Sequence, residues 1–128
     1  MILGTGIDLL DPRRLRKAAD RWGDRLLDRL FTPGERSDCE GRGDPWPSFA
    51  ARFAAKEAFV KALGLGLRHG LTWKQIEVVY GEYGKPELRL SGKATELLSE
   101  QGVMRAHLSL SHQAGMAMAM VILEGDPK

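Results

Sequence analysis

Residues 48–63 read SFAARFAAKEAFVKAL, and this stretch predicts the helix around which the fold is built. Ser48 is a favoured residue at a helix N-terminus, and Gly64, directly after the stretch, is a favoured terminator. The remaining positions are mostly Ala and Phe, which is typical of a helix that packs closely in a core. The stretch also carries four charged residues, Arg52, Lys56, Glu57 and Lys61.

Strands and further helices are predicted on both sides of this central helix. From β-branched and apolar residues between turn signals, strands are expected over residues 1–10, 76–80, 87–90, 106–111 and 116–123. One helix is expected over residues 12–30, with Trp22 on its apolar side and a break at Gly23. Further helices are expected directly after Thr32 and over residues 91–101. Residues 39–47 are expected to form a loop. The order predicts one α+β domain over residues 1–128, with an antiparallel sheet packed against the central helix.

The composition excludes several classes of function. The 128 residues include 19 basic and 17 acidic side chains, and a net charge of +2 is too small for a protein that binds nucleic acid over its whole surface. The single cysteine, Cys39, excludes an intrachain disulfide and a thiolate metal cluster. The longest apolar stretch, Ala114–Leu123, has ten residues, half of what a bilayer span requires. Because no targeting segment is recognisable, we expect a soluble, cytoplasmic protein that does not bind a membrane.

Two acidic residues are candidates for a metal site. Asp8 lies in the otherwise apolar first strand, on the same face as Gly4 and Gly6, and taken alone it could equally cap the next helix. Glu57 lies one helical turn before Lys61, and taken alone the two could form an ordinary surface pair. Two carboxylates from separate elements beside several cations are nevertheless what a magnesium–phosphate site requires. Mg²⁺ takes one or two protein carboxylates and completes its shell with phosphate and water.

Several segments together resemble a known family of enzymes. They are Gly6-Ile7-Asp8 with Arg14 six residues later, Arg52–Gly64 (RFAAKEAFVKALG), Gly84-Lys85-Pro86 and His107–His112 (HLSLSH). In this order they closely resemble the holo-[acyl-carrier-protein] synthases, the small stand-alone class of 4′-phosphopantetheinyl transferases. The resemblance spans essentially the whole chain. It implies the phosphopantetheinyl transferase fold.

The resemblance also implies a reaction and a role for three residues. The family transfers the phosphopantetheine arm of coenzyme A to a serine of apo-acyl carrier protein and releases adenosine 3′,5′-bisphosphate. Asp8 and Glu57 would hold Mg²⁺ against the pyrophosphate, and Lys61 would stabilise or protonate the leaving phosphate. The base for the carrier serine is left open between Glu57 and a metal-bound water.

Further residues are assigned by the resemblance to the two substrates. The candidates for contacts with coenzyme A are Arg52, Lys56, Lys61, His107 and His112, although His112 could equally be structural. Five cations and one acid lie between Arg13 and Arg21, a local charge of +4. Since acyl carrier proteins are acidic, we expect this face to dock the carrier through Arg14 and Arg21. The sequence does not distinguish a fatty-acid from a polyketide carrier, or Mg²⁺ from Mn²⁺. It assigns no role to Gln113.

The Arg-rich first helix leaves a second reading open. A small α+β RNA-binding module could use the same cations on phosphates. That reading leaves Asp8 and Glu57 without a role, and the RNA-binding aromatic consensus is missing. We therefore favour the enzyme and expect no nucleic-acid partner.

The last strand indicates an oligomer. Residues 116–123 (MAMAMVIL) are apolar on both faces, and one face can pack on the central helix. A homotrimer, which the resemblance implies, would cover the other face. It could also bring Arg52, Lys56 and Glu57 of one subunit opposite His107 of a neighbour. The alternative is a monomer whose second face is covered by the helix predicted over residues 91–101.

Overall fold

Helix α4 (Trp46–Leu63) runs through the centre of the molecule. The computed structural model describes residues 1–127. The other elements are β1 (Ile2–Leu10), α1 (Pro12–Trp22), α2 (Asp24–Leu30), α3 (Pro33–Glu40), β2 (Ile76–Tyr80), β3 (Pro86–Leu90), α5 (Gly92–Glu100), β4 (Val103–Gln113) and β5 (Met116–Gly125). A 3-10 turn, Trp73–Gln75, precedes β2, and another, Glu82–Gly84, connects β2 to β3. Among residues 1–127 no helix is long and apolar enough to cross a bilayer.

The predicted antiparallel sheet is present, and it is divided into two parts. One sheet has three strands in the order β1-β5-β4, and β2 and β3 form a separate antiparallel hairpin. In β5 every second residue is buried, at Ala117, Ala119, Val121 and Leu123. This inner face of the three-stranded sheet packs against α4, because strand alternation sends successive side chains to opposite faces.

Two glycines allow β1 to lie almost in contact with the backbone of α4. A Cβ atom added at Gly4 would lie 2.2 Å from the carbonyl oxygen of Ala62. A Cβ added at Gly6 would lie 1.9 Å from the carbonyl oxygen of Ala58. Since Asp8 follows Gly6 on the same face of the strand, this contact sets Asp8 directly beside the helix.

The first predicted helix is divided, and its apolar side is narrower than expected. Gly23 has φ 71°, a conformation that favours glycine, and it separates α1 from α2 as predicted. Leu15 and Ala19 are buried in the core. Trp22 was expected on that side as well, and this was wrong: it is 61% exposed. Trp22 is the last residue of α1, directly before the chain turns at Gly23, and its ring lies beside Arg21.

The central helix begins earlier than predicted. It starts at Trp46, so Ser48 is not an N-cap, and the hydroxyl of Ser48 instead contacts the buried thiol of Cys39 at 3.3 Å. Cys39 itself belongs to α3, which shortens the predicted loop from residues 39–47 to residues 41–45. The capping box of α3, in which Thr32 and Glu35 bond each other's backbone amides, is present as predicted.

The outer face of the three-stranded sheet stays open within the subunit. Ile7 and Leu9 are 57% and 61% exposed, and their partners in β5, Met120 and Met118, are 42% and 39% exposed. Helix α5 does not cover them, because its buried residues belong to the core on the inner side of the sheet. The alternative of a monomer whose second sheet face lies under this helix is therefore wrong.

Candidate active site

Asp8 and Lys61 form the geometric centre of the site. The ammonium of Lys61 donates to the carboxylate of Asp8 at 3.1 Å and to the backbone carbonyl of Ile7 at 2.9 Å. The side chain of Asp8 is 13% exposed, whereas that of Lys61 is 54% exposed. A largely buried carboxylate is thus paired with a half-exposed cation.

Glu57 completes this cluster from the previous turn of α4. Burial raises the pKa of Glu57, the negative charge of Asp8 raises it further, and the positive charge of Lys61 opposes both effects. The influence of Asp8 on this pKa reflects the proximity of the two carboxylates. The structure therefore brings Asp8 of β1 together with Glu57 and Lys61 of α4. The two acidic residues lie 49 positions apart in the sequence.

The donor set of this cluster fits magnesium. Residues 1–127 contain no group of three or more His, Cys, Asp or Glu side chains that could enclose a metal ion. Asp8 and Glu57 supply two carboxylates on the partly open side of α4. This matches Mg²⁺, which keeps several waters and shares its remaining positions with phosphate oxygens. The position of Lys61 on Asp8 shows that the cluster already attracts a cation.

The expected contact between Lys56 and coenzyme A was wrong for this structure. The side chain of Lys56 is 0% exposed and pairs with Glu35 at 2.6 Å. Its ammonium also donates to the carbonyls of Leu30 and Trp73, at 2.7 and 3.2 Å. Burial lowers the pKa of Lys56, and the charge of Glu35 opposes that shift. With its three N–H groups occupied inside the core, Lys56 has no donor left for a phosphate.

Arg52 is also buried, on the same side of α4. It pairs with the carboxylate of Asp38 and donates to the hydroxyl of Ser48. Its guanidinium carbon lies 4.9 Å from the ring centroid of Tyr80, and its Nε atom has no partner among the described residues. The guanidinium therefore lies below the protein surface. A contact between Arg52 and a phosphate stays a prediction.

The two histidines lie in different places. His112, at the end of β4, lines a cleft of about 440 Å³ together with Ser48, Tyr80 and Pro86. His107 points from the outer face of the sheet and contacts Glu124 at 3.0 Å. Because the cluster at Asp8 lies on the inner face, a single subunit does not bring His107 to it.

The predicted docking face is open. Three cations of this face, Arg14, Lys17 and Arg21, are exposed on α1, and the exposed Arg25 and Arg29 extend the row of cations along α2. Among the described residues none of these five forms an ion pair, whereas Arg13 is held by Asp11 at 2.7 Å. The guanidinium of Arg21 lies over the ring of the exposed Trp22, at 5.0 Å from its centroid. The face combines free cations with an aromatic surface.

Sequence reasoning missed the acidic partners of the buried cations. Glu35 was recognised only as part of the capping box, and Asp38 was not singled out. The signal in the sequence was the presence of two cations within an Ala- and Phe-rich helix, since buried Lys and Arg require partners. Which acids would supply them depends on how α3 packs against α4.

Comparisons with known proteins assign the chain to a family. The family described as "4'-phosphopantetheinyl transferase superfamily" matches residues 4–119. This match shows that the chain belongs to that superfamily.

Relatives place it more narrowly, among the holo-[acyl-carrier-protein] synthases. The chain is 54% identical to a holo-[acyl-carrier-protein] synthase of Trichlorobacter lovleyi over 97% of its own length and 98% of the relative. A crystal structure of the enzyme from Neisseria meningitidis matches with a TM-score of 0.90 at 35% identity, over 97% and 99% of the two chains. A Helicobacter pylori structure, in complex with coenzyme A, matches with a TM-score of 0.81 at 29% identity, over 94% and 99%. The predicted family is confirmed.

Proposed function

We propose that this chain carries out the reaction of its family at the cluster of Asp8, Glu57 and Lys61. The reaction transfers the 4′-phosphopantetheine group from coenzyme A to a serine of apo-acyl carrier protein and releases adenosine 3′,5′-bisphosphate. The observation that carries the assignment is the juxtaposition of two carboxylates with a lysine that already occupies one of them. This is the arrangement that a metal–pyrophosphate complex needs.

Each residue of the cluster has a distinct task. Asp8 and Glu57 would hold Mg²⁺, which would neutralise charge on the pyrophosphate. The serine oxygen bonds to the phosphorus that carries pantetheine, and the bond from this phosphorus to the bridging oxygen breaks. Glu57, or a water held by the metal, would accept the serine proton. Lys61 leaves Asp8 and neutralises the bridging oxygen, which departs with the bisphosphate.

Coenzyme A binds in the cleft beside His112. The cleft of about 440 Å³ is lined in part by the apolar residues Pro86 and Leu110 and by Tyr80. His112 and Arg42 line the same cleft and can donate to phosphate oxygens. His107, on the opposite face of the sheet, serves a neighbouring subunit's site.

The carrier protein docks on the exposed cations of α1 and α2. Arg14 and Arg21 lead this contact, since both are exposed and neither is neutralised by an acid of its own chain among residues 1–127. An acidic partner is therefore attracted at long range and oriented on contact. An RNA would be attracted by the same charges, but it would leave the Asp8–Glu57 cluster without a role.

The active assembly is a homotrimer. The apolar outer face formed by Ile7, Leu9, Met118 and Met120 supports this proposal, because an exposed patch of this kind marks an interface. His107 lies on this same face, opposite the side that carries Asp8. A threefold contact through the outer faces would cover the patch and place His107 at the boundary with a neighbouring subunit.

A transfer assay tests the proposal directly. The protein is incubated with coenzyme A, Mg²⁺ and an apo-acyl carrier protein, and intact-protein mass spectrometry follows the carrier. The expected result is the mass gain of one phosphopantetheine group, absent when Mg²⁺ is chelated and when the carrier serine is replaced by Ala. A carrier that stays unmodified under saturating substrates would overturn the assignment.

A further inference from the structure

The buried pair of Lys56 and Glu35 joins α4 to α2, α3, β2 and the turn before β2. The ammonium of Lys56 binds the carboxylate of Glu35 and the carbonyls of Leu30, at the end of α2, and Trp73, in the turn before β2. The carboxylate of Glu35 also accepts hydrogen bonds from the backbone amides of Thr32, at 3.0 Å, and Val78, at 2.9 Å. Both charged groups are thus fully hydrogen-bonded inside the core.

Stability alone does not account for charges at this position. Taking two charges out of water costs several kcal/mol, and apolar replacements of similar volume are often as stable or more stable. An ion pair with five directional hydrogen bonds differs from an apolar contact mainly in fixing orientation. The role of this ion pair is therefore to fix the orientation of an element.

The side of α4 that faces β1 carries small residues. The helix presents Ala58 and Ala62 to the sheet, and the facing positions of β1 are Gly4 and Gly6. This backbone contact holds the helix close to the strand, while Phe59 and Leu63 pack in the core elsewhere on the helix. A turn of about 20° would displace a carboxylate about 6 Å from the helix axis by about 2 Å.

Glu57 follows Lys56 directly in α4. A contact that fixes the rotation of the helix at Lys56 therefore also fixes the direction of the Glu57 side chain. We propose that Lys56 and Glu35 are a positioning pair: they lock the rotation of α4 so that Glu57 faces Asp8, without touching either substrate. The proposal rests on the function assigned above to Glu57. Lys56, which is buried, thus has a different role from Lys61, which lies five residues later and is half exposed.

The test compares neutral replacement of the pair with loss of another tether on the same helix. The double variant Lys56→Met/Glu35→Gln removes both charges and keeps an acceptor for the backbone amides near Glu35. The control is Gln101→Ala, because Gln101 donates to the carbonyl of Leu63 at 3.3 Å and so ties the last turn of α4 without involving Glu57. Thermal unfolding, kcat, KM for coenzyme A, and Mg²⁺ affinity by titration calorimetry are measured for all three proteins.

The double variant is expected to fold and to lose at least about tenfold in kcat, since displacement by about 1 Å costs catalysis heavily. KM for coenzyme A stays within about twofold, and Mg²⁺ binds at least about threefold more weakly, because only the aim of one ligand changes. The control keeps wild-type values. A folded double variant with wild-type kcat and Mg²⁺ affinity would overturn the proposal.

A further variant serves if the double variant does not fold. Glu35→Asp keeps both charges and shortens the acid by one methylene, so it is expected to show the same losses in kcat and Mg²⁺ affinity; unchanged values overturn the positioning role. Calorimetry does not depend on turnover. An inactive wild-type protein would therefore refute the proposed function, while the Mg²⁺ affinities of the variants would still decide the role of the pair.

Discussion

The α-carbon of Gly6 faces the carbonyl oxygen of Ala58 so closely that an added Cβ would lie 1.9 Å from that oxygen. The two backbones cannot approach each other any more closely. Because Asp8 is carried by β1 and Glu57 by α4, this contact sets the spacing of the two carboxylates.

Gly6→Ala is therefore expected to be more damaging than its size indicates. Overpacking of a core costs about 1–3 kcal/mol, and here the clash is with backbone rather than with a flexible side chain. We expect chemical denaturation to show a loss at the upper end of this range, with loss of transfer activity. Gly43→Ala is the control, since no atom lies within 4 Å of its added Cβ. A Gly6→Ala protein as stable and active as wild type would contradict the close contact.

Removal of either carboxylate of the cluster is expected to abolish transfer. Asp8→Ala and Glu57→Ala each remove a charge that the magnesium–pyrophosphate complex needs, while neither residue is part of the apolar core. Circular dichroism should report an intact fold. The control Glu100→Ala changes an exposed acid at the end of α5 and should leave turnover unchanged. Near-normal turnover of either site variant at limiting Mg²⁺ would refute the site.

The pH dependence of stability is expected to report Glu57. Burial and Asp8 raise the pKa of Glu57 in the folded state, so between its unfolded and folded pKa values the folded protein binds more protons. The free energy of unfolding therefore falls as pH rises through this window. In EDTA, Glu57→Gln should be more stable than wild type at pH 7, and the difference should vanish below the ordinary pKa of a glutamic acid. Denaturant titrations at several pH values check this; a variant less stable at pH 7 would contradict it.

Charge reversal on α1 is expected to act on one substrate only. Arg14→Glu or Arg21→Glu should raise KM for the carrier by roughly tenfold and leave KM for coenzyme A nearly unchanged. Added salt should weaken the wild-type interaction in parallel, because exposed charges are screened over about 8 Å at physiological ionic strength. Lys74→Glu, at an exposed cation outside this face, is the control. A carrier KM insensitive to both reversal and salt would leave the face as a solvated surface.

Assembly is expected to depend on the outer face of the sheet. Sedimentation equilibrium should give three times the chain mass for wild type. Met120→Glu should give inactive monomers, because it places a charge at the centre of the apolar patch. Tyr83→Glu, at a fully exposed residue of the β2–β3 connection, should remain trimeric. A fully active species at monomer mass would end the shared-site proposal.

The sequence by itself determined the local elements and the residues of the cluster. Alternation placed Asp8 on the face of Gly4 and Gly6, and helical spacing placed Glu57 one turn from Lys61; the structure agrees with both. Capping chemistry located the start of α3 in the same way. These features follow from residues a few positions apart, whose relation is fixed by the geometry of a single strand or helix.

Only the tertiary structure decided which charges are available. Lys56 and Lys61 have similar sequence surroundings, yet one is 0% and the other 54% exposed. The difference arises because α3 brings Glu35, 21 positions away, against one side of α4, while the other side borders β1 at its solvent edge. The sequence likewise left open whether α5 covers the apolar outer face. The rotation of a helix and the choice of buried partners depend on which elements meet in space, and no periodicity along the chain encodes them.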